Sequence, residues 1–231
     1  MHFKAHIEKD CVVLEELFGY KRTNPLFKQA IAKSALRALE LVARADLTPK
    51  FYMAGGTAAS IQIGHRLSVD LDYFSQTEFK SEILVDSLLS NSIDISNIET
   101  LKGTLHCVIE NTKVSFLRYR YNLLFDTATF GRTDIASLCD IALMKMIAIT
   151  SRGAKKDFID LYFILQQMPL SYILDNFPKK YPLKEIDPYC YIKGLTYFDD
   201  AQNDPMPHML MPCDWEEVKN YFQNAVRELV L

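Results

Sequence analysis

The feature that most constrains this chain is a glycine pair between a short apolar segment and a helix-like segment. Residues 51–54 are typical of a buried strand, Gly55, Gly56 and Thr57 follow at once, and a short helix is predicted up to Gly64. Glycine lacks a Cβ, so its backbone N–H can approach a phosphate closely, and a helix N-terminus adds a positive dipole. The pattern predicts a phosphate-binding turn at a strand-to-helix junction.

Two aspartates follow this turn after 12 further residues, on a strand predicted over residues 67–74. Successive side chains on a strand point to opposite faces, so Asp70 and Asp72 are expected to project together. Adjacent carboxylates repel each other unless a cation lies between them, and their hard oxygen ligands suit Mg²⁺ or Mn²⁺. We therefore predict that Asp70 and Asp72 form a metal site beside the glycine turn.

A second cluster of charged residues lies on two predicted helices further along the chain. Lys145 and Arg152 are seven residues apart, which is two helical turns, so both can point at one site and bind the charge of a triphosphate. Lys156 and Asp160 have the spacing of an ion pair along a helix, and Asp157 lies in its favourable first turn. In the alternative interpretation, Lys156, Asp157 and Asp160 form a structural network that locks the two helices together.

The coarse pattern predicts a mixed α/β first half, residues 1–130, and a helical second half, residues 131–231. Alternation typical of strands runs through residues 93–121, with turns near Lys102-Gly103 and Asn111-Thr112. The helices predicted from apolar periodicity cover residues 24–45, 57–64, 80–89, 134–151, 155–167, 171–177, 187–197 and 214–231. We expect an α+β architecture, with a mixed sheet flanked by helices and followed by a C-terminal helical bundle.

Composition excludes several classes of protein. The chain has 231 residues, 49% hydrophobic, and a net charge of -3, which argues against a disordered or fibrous chain. It has no apolar run long enough for a membrane span, and its first ten residues lack the apolar core of a secretory signal. Five scattered cysteines favour free thiols and a cytoplasmic location over a disulfide or zinc framework.

Charge is unevenly distributed along the chain. Residues 111–156 carry eight basic and three acidic side chains, whereas residues 199–231 carry seven acidic and two basic ones. The basic stretch could attract a polyanion, or it could be an ordinary solvated face.

Three segments together carry a resemblance to a known family. They are residues 54–75, with the glycine turn and both aspartates; residues 145–162, with the pattern K-x-x-A-x-x-x-R-x-x-x-K-D-x-x-D-L-Y; and residues 195–207. In combination they resemble the AbiEii/AbiGii toxin family, nucleotidyltransferases of the DNA polymerase β-like superfamily. The resemblance implies a nucleotidyltransferase-like fold and transfer of a nucleoside monophosphate from an NTP to an RNA, including a tRNA end, or to a protein. It also implies Mg²⁺ or Mn²⁺ as cofactor and a cognate antitoxin as partner.

The motifs assign expected roles to eleven residues. As catalytic residues we expect Asp70, Asp72 and Lys145, the two aspartates also binding the metal. As nucleotide-binding residues we expect Gly55, Gly56, Thr57, Arg66, Ser68, Arg152, Lys156 and Asp157. His65 and Arg66 could either reach a phosphate or cap the helix end, whereas His106, Cys107 and His208 lack ligand spacing and are expected to be structural.

One position departs from the superfamily pattern. Polymerase-β-like enzymes generally add a third carboxylate from a neighbouring strand, and the matching position here is Ser115. Either the two aspartates suffice, or Glu110 or Asp126 substitutes, or the protein binds nucleotides and transfers them slowly or not at all. A catalytically degenerate nucleotide-binding or interaction module is thus the alternative function, followed by a phosphohydrolase or an unrelated α/β protein.

Overall fold

A seven-stranded mixed sheet forms the centre of the protein. The computed structural model describes residues 26–182, 184 and 186–229, and the segment before them lies outside the described residues. The strands are β1 (Tyr52–Ala54), β2 (Leu71–Ser75), β3 (Ser96–Leu101), β4 (Thr104–Ile109), β5 (Thr112–Arg118), β6 (Ala128–Phe130) and β7 (Thr133–Ile135). Their order across the sheet is β3-β4-β5-β2-β1-β7-β6, in which β2 and β5 run parallel, as do β1 and β7.

Helices cover the sheet and form the second half of the chain. After a 3₁₀ turn at Lys28–Ala30, they are α1 (Lys33–Arg44), α2 (Gly55–Ile63), α3 (Ser81–Ser90), α4 (Leu138–Arg152), α5 (Lys155–Leu165), α6 (Leu170–Lys180), α7 (Pro188–Gly194), α8 (Asp199–Gln202) and α9 (Trp215–Glu228). This architecture confirms the predicted α+β class with a helical C-terminal part.

The helical hairpin of α4 and α5 packs against α2, the helix that begins at the glycine pair. Ser137 caps the start of α4 by accepting a hydrogen bond from the backbone N–H of Asp140, and Gly153 ends the helix in the left-handed conformation with φ of 57°. The tight connection through Gly153 turns α5 back along α4. As a result, the charged residues of both helices lie next to the carboxyl end of β1.

Helix α1 begins later than predicted. Instead of continuing a helix, Ile31 is extended and bridges Ser68, whose backbone N–H donates to Ala30 and whose carbonyl accepts from Ala32. Apolar spacing alone does not reveal this tertiary pairing, and residues 24 and 25 of the predicted helix lie outside the described residues. Strand β2 likewise begins at Leu71 rather than at residue 67, because Ser68 pairs with the segment before α1.

Strands β6 and β7 were not predicted. Each has only three residues, and β7 lies where the sequence pattern indicated the start of a helix. Met53 of β1 pairs with Ile135 of β7, so the sheet continues past the boundary predicted at residue 130. The buried apolar residues form one cluster that includes both the sheet and α4 to α6. The division into two domains stays a prediction.

Candidate nucleotide-binding site

A single cleft gathers most of the residues expected to act on a nucleotide. It has a volume of about 610 Å³ and lies between α4 and the face of the sheet formed by the central strands β2 and β5. Ten of the eleven predicted residues line it, namely Gly55, Gly56, Thr57, Arg66, Ser68, Asp70, Asp72, Lys145, Arg152 and Lys156. The eleventh, Asp157, lies behind the wall and pairs with Lys145 and Arg152.

The two predicted metal ligands, Asp70 and Asp72, both line this cleft. Asp70 precedes β2, and Asp72 is the second residue of that strand. Burial raises the pKa of Asp72, and the neighbouring carboxylate of Asp70 raises it further, while the Lys145 ammonium and the Ser115 hydroxyl oppose the rise. A carboxylate desolvated beside a second acid is favoured in its charged form by a bound cation.

The donor set fits a magnesium-like ion that keeps open positions. Among the described residues, no cluster of three or more His, Cys, Asp or Glu side chains could hold a metal. Mg²⁺ is commonly held by one or two carboxylates, with substrate phosphates and waters completing its octahedron. Asp70 and Asp72 are therefore suited to an ion that arrives with a triphosphate, and unsuited to a closed structural site.

The glycine turn lies directly against the carboxylate strand. Gly55 has a positive φ of 72°, and a Cβ there would lie 3.0 Å from an Oδ2 of Asp72. Ala54 occupies the N-cap of α2, and among the described residues no side chain caps the first amides of this helix. Those N–H groups therefore remain available to an anion.

Hydroxyl groups tie the turn to the segment that carries Asp70. The Thr57 hydroxyl donates to the backbone carbonyl of Asp70. It lies 2.7 Å from the Ser68 hydroxyl, which therefore donates to it. The interaction fixes the distance between the start of α2 and the first carboxylate.

A buried ion network forms the other wall of the cleft. The Lys145 ammonium donates to the carboxylates of Asp157, at 2.7 Å, and Asp160. Arg66 donates to both oxygens of Asp160, at 2.6 and 2.9 Å. Arg152 binds both oxygens of Asp157, at 2.7 and 2.9 Å. Three cations thus share two carboxylates within the network, and the one positive charge left over faces the carboxylates of Asp70 and Asp72.

The network keeps its members charged despite their burial. Burial alone would lower the pKa of Lys145, but the carboxylates of Asp160 and Asp157 outweigh it and raise that pKa. Burial alone would raise the pKa of Asp160, but Lys145 and Arg66 hold it well below its usual range. The network is therefore ionised at neutral pH.

His65 takes part in this network as a neutral side chain. It is fully buried, and its Nε2 lies 2.8 Å from Oδ1 of Asp160. Burial lowers the pKa of His65 more than the Asp160 carboxylate raises it. Since the Asp160 carboxylate accepts a hydrogen bond from Nε2–H, Nδ1 carries the lone pair, and Nδ1 has no hydrogen-bond partner among the described residues. The sequence left open whether His65 and Arg66 reach a phosphate or cap the helix end. The structure places His65 against Asp160, and of the two residues only Arg66 lines the cleft.

The predicted pairing of Lys156 with Asp160 is wrong. Asp160 is fully buried beneath Lys145, Arg66 and His65, whereas Lys156 is exposed at the edge of the cleft. The i,i+4 spacing permits an ion pair on an isolated helix, but the buried cations of other elements surround Asp160 here. Lys156 is accordingly placed to meet a ligand instead of locking the two helices.

Ser115 lies beside Asp72, as the strand pattern indicated. The two residues are Cα partners in the parallel pair of β2 and β5, and the Ser115 hydroxyl opposes the rise that burial causes in the pKa of Asp72. Neither acid considered as a substitute lines the cleft. Glu110 lies in the turn before β5 and pairs with Arg37 at 3.1 Å, and Asp126 lies in the loop before β6.

Two histidines that were expected to be structural line the cleft as well. His106 projects from β4 and its Nδ1 lies 3.1 Å from the Ser115 Oγ, and His208 lies on the opposite rim. The strand register of the hairpin formed by β4 and β5 could have revealed the position of His106. A two-residue turn at Glu110-Asn111 pairs Ile109 with Thr112 and hence His106 with Ser115.

The described residues contain no helix of sufficient length and apolarity to cross a lipid bilayer.

Comparisons with known proteins agree with this geometry. Residues 37–135 match the sequence model of the nucleotidyl transferase AbiEii toxin of a type IV toxin–antitoxin system. The chain is 36% identical over 206 residues to an uncharacterized protein of Aquifex aeolicus (strain VF5), which covers 86% of this chain and 97% of the relative.

Solved structures share the fold at low sequence identity. MenT4, a nucleotidyltransferase toxin from Mycobacterium tuberculosis H37Rv, matches with a TM-score of 0.52 and 15% identity, over 84% of each chain. A proposed nucleotidyltransferase from H. pylori matches with a TM-score of 0.50 and 17% identity, over 86% of this chain and 95% of the other. The matched sequence model therefore identifies residues 37–135 as a domain of the AbiEii nucleotidyltransferase toxin family, and the solved structures share the fold of the chain.

Proposed function

We propose that this protein is a metal-dependent nucleotidyltransferase that moves a nucleoside monophosphate from an NTP to an RNA, including a tRNA end, or to a protein. The observation that carries the proposal is the convergence of three groups on one cleft. The uncapped start of α2, the pair Asp70 and Asp72, and the cations Lys145 and Arg152 all face it. Each suits a different part of a metal-bound triphosphate.

Each group has a distinct task in the transfer. The amides of Gly55 and Gly56 hold phosphate oxygens, while Lys145 and Arg152 offset charge that grows on the leaving pyrophosphate. Asp70 and Asp72 would hold Mg²⁺, which would supply Lewis-acid stabilisation of the phosphoryl oxygens when bound. The acceptor hydroxyl then attacks the α-phosphorus in line and pyrophosphate leaves. Most of the rate enhancement would come from positioning and charge neutralisation.

Membership in a toxin family supports a toxin-like role for the transfer, restrained by a cognate antitoxin. The basic stretch at residues 111–156 includes Lys113, Lys145, Arg152 and Lys156, all of which line the cleft. This supports a polyanionic acceptor such as RNA. We place the protein in the cytoplasm, where its nucleotide substrates are found.

A transfer assay tests the proposal. Each NTP, labelled at the α- or γ-phosphorus, is incubated with the protein, Mg²⁺ or Mn²⁺, and total RNA or total cell protein. We expect only the α-label to enter an acceptor, and the γ-label to leave as pyrophosphate. Asp72→Asn should abolish incorporation, whereas Asp134→Asn, at an exposed position away from the cleft, should retain it.

In the part of the chain that the structure describes, no third acid joins Asp70 and Asp72, and this favours one alternative, a nucleotide-binding module without transfer. In that case Asp72→Asn would weaken NTP binding, while no acceptor would receive label from the normal chain with either metal. Release of inorganic phosphate from the γ-position would instead indicate a phosphohydrolase.

A further inference from the structure

The cleft is polar at one end and apolar at the other. On β2, Asp72 is followed two residues later by Phe74, so both side chains project from the same face of the strand and line the cleft. On the neighbouring strand β5, their register partners Ser115 and Leu117 repeat the change from polar to apolar. The sheet therefore offers an apolar surface roughly 7 Å beyond the carboxylate that is expected to bind the metal.

The facing wall of the cleft, on α4, changes in the same direction. Most apolar side chains of this helix are buried in the core, but Met144, Ile147 and Ala148 are only partly buried and line the cleft. Their spacing places them on one side of the helix. We call the apolar part of the cleft the apolar half, and its lining residues are Phe74, Leu117, Tyr119, Met144, Ile147 and Ala148.

A metal-bound triphosphate accounts only for the polar end of the cleft, around the glycine turn, Asp72 and Lys145. The cleft as a whole has a volume of about 610 Å³, which is typical of sites that enclose a complete small-molecule ligand. Phosphate oxygens are unsuited to the apolar half, because moving charge out of water against apolar side chains costs free energy. The part of a nucleotide that lies one ribose away from its phosphates is the base, whose two faces are flat and largely apolar.

The apolar half contains aromatic rings on which a base can stack. Phe74 packs against Tyr52, with ring centroids 6.0 Å apart, and against Tyr119, which meets it edge-on at 5.8 Å. These neighbours hold the Phe74 ring in place, and the ring is only partly buried by them and lines the cleft. An immobilised aromatic ring loses little conformational entropy when a base stacks on it.

The same half has few polar groups that could distinguish one base from another. The Tyr119 hydroxyl is hydrogen-bonded to the Tyr181 hydroxyl at 2.7 Å, and Ser151, at the border with the polar end, donates to the backbone carbonyl of Ile147. The other side chains of the apolar half are aliphatic or phenyl. Every base offers a similar face to an aromatic ring, whereas strong discrimination requires hydrogen bonds to the edge of the base.

Resting on the proposed transferase function, we propose that the apolar half is the subsite for the base of the NTP, and that it accepts all four bases. The base stacks on Phe74, Met144 and Ile147 cover it from the facing wall, and the ribose spans the step to Asp72. The protein then recognises its nucleotide by the triphosphate and by the flat shape of the base, and the identity of the base contributes little.

Calorimetric titrations without any acceptor test this assignment. The probes are ATP, CTP, GTP, UTP and inorganic tripolyphosphate, each with Mg²⁺. We expect the four NTPs to bind the normal chain with affinities within about tenfold of one another. Phe74→Ala should weaken the binding of each NTP about tenfold and that of tripolyphosphate less than about twofold, because the ring contacts only the base.

Three further variants separate loss of the ring from loss of the fold. Phe74→Tyr keeps the aromatic face and should bind each NTP within about threefold of the normal chain. Phe51→Ala removes another partly buried phenyl ring, which packs against Phe79 and Phe116 outside the cleft, and should leave NTP affinity unchanged. Should Phe74→Ala lack a cooperative melting transition, Ile147→Ala on the facing wall should weaken each NTP at least about threefold and leave tripolyphosphate unchanged.

The outcomes distinguish this assignment from the function on which it rests. A normal chain that binds neither NTP nor tripolyphosphate, and transfers no α-label, overturns both. Binding of one NTP more than about tenfold more tightly than the others overturns only the base subsite. Equal losses of NTP and tripolyphosphate affinity in a folded Phe74→Ala protein do the same. If Phe74→Ala keeps its NTP affinity but loses transfer, the apolar half belongs to the acceptor and the assignment is wrong. A selective loss of NTP affinity, in a chain that transfers no α-label, supports the base subsite and overturns the transferase.

Discussion

Arg66 lies directly over Gly56: a Cβ added at residue 56 would be 2.2 Å from an Nη2 of Arg66. The same guanidinium holds both oxygens of the buried Asp160. The second glycine of the turn is therefore required by an ion pair behind it as well as by any phosphate in front of it.

This contact predicts the effect of Gly56→Ala on stability. The methyl group would displace Arg66 from Asp160, and we expect a loss of about 2 kcal/mol in the free energy of unfolding, measured with urea. In an Arg66→Ala background the same substitution should cost less than about 0.5 kcal/mol, since no guanidinium remains to be displaced. Equal losses in both backgrounds would contradict the contact.

The carboxylate pair makes a prediction about the metal-free protein. Burial is the main cause of the raised pKa of Asp72, and repulsion by Asp70 adds to it, so Asp70→Asn should leave the melting temperature in EDTA equal or higher. The same variant should lose the rise in melting temperature that Mg²⁺ with an NTP gives the normal chain. Asp134→Asn is the matched control and should keep that rise. A large loss of stability in EDTA would identify the pair as structural.

His65 gives the protein a pH dependence with a definite sign. Burial lowers the pKa of His65 in the folded protein, whereas in the unfolded chain this pKa is about 6.5. The unfolded state therefore binds the proton more readily, and stability present above about pH 6.5 falls as the pH drops toward the lowered folded value. Between pH 7.5 and 5.5, His65→Gln should flatten this decline in urea unfolding, and His208→Gln should not. Parallel curves for His65→Gln and the normal chain would disprove the assignment.

Replacing Lys145 should mainly lower stability, whereas replacing Lys156 should mainly weaken nucleotide binding. Lys145 is buried between two carboxylates, so Lys145→Met should cost about 3–5 kcal/mol of unfolding free energy. Lys156 is exposed, so Lys156→Gln should change stability by less than about 0.5 kcal/mol. It should nevertheless weaken NTP binding about fivefold in a titration, by removing one favourable charge. Unchanged binding would remove Lys156 from the proposed nucleotide site.

The local parts of the site could be predicted from sequence because they depend on near neighbours. The glycine turn, the alternation of Asp70 and Asp72, and the helical spacing of Lys145 and Arg152 each follow from a short pattern. The partnership of Arg66 with Asp160 could not be predicted in this way, since 94 residues separate them. Burial of the network, which decides that Asp160 pairs with Lys145 instead of Lys156, is a property of the assembled helices.

Parts of the fold were missed for equally physical reasons. The three-residue strands β6 and β7 are too short to show alternation. The start of α1 is set by backbone pairing with Ser68, which leaves no trace in the apolar pattern of residues 24–45. The position of His106 beside Ser115 could have been predicted, because the two-residue hairpin turn fixes the strand register that pairs these residues.

The long separation between Arg66 and Asp160 has a consequence for biosynthesis. A chain emerging from the ribosome exposes the glycine turn and Arg66 long before Asp157 and Asp160 are made. Without those carboxylates, Lys145, Arg66 and Arg152 would repel one another, so we expect the cleft to form only after α5 has emerged. A growing chain would therefore lack an assembled cleft until most of its length is complete.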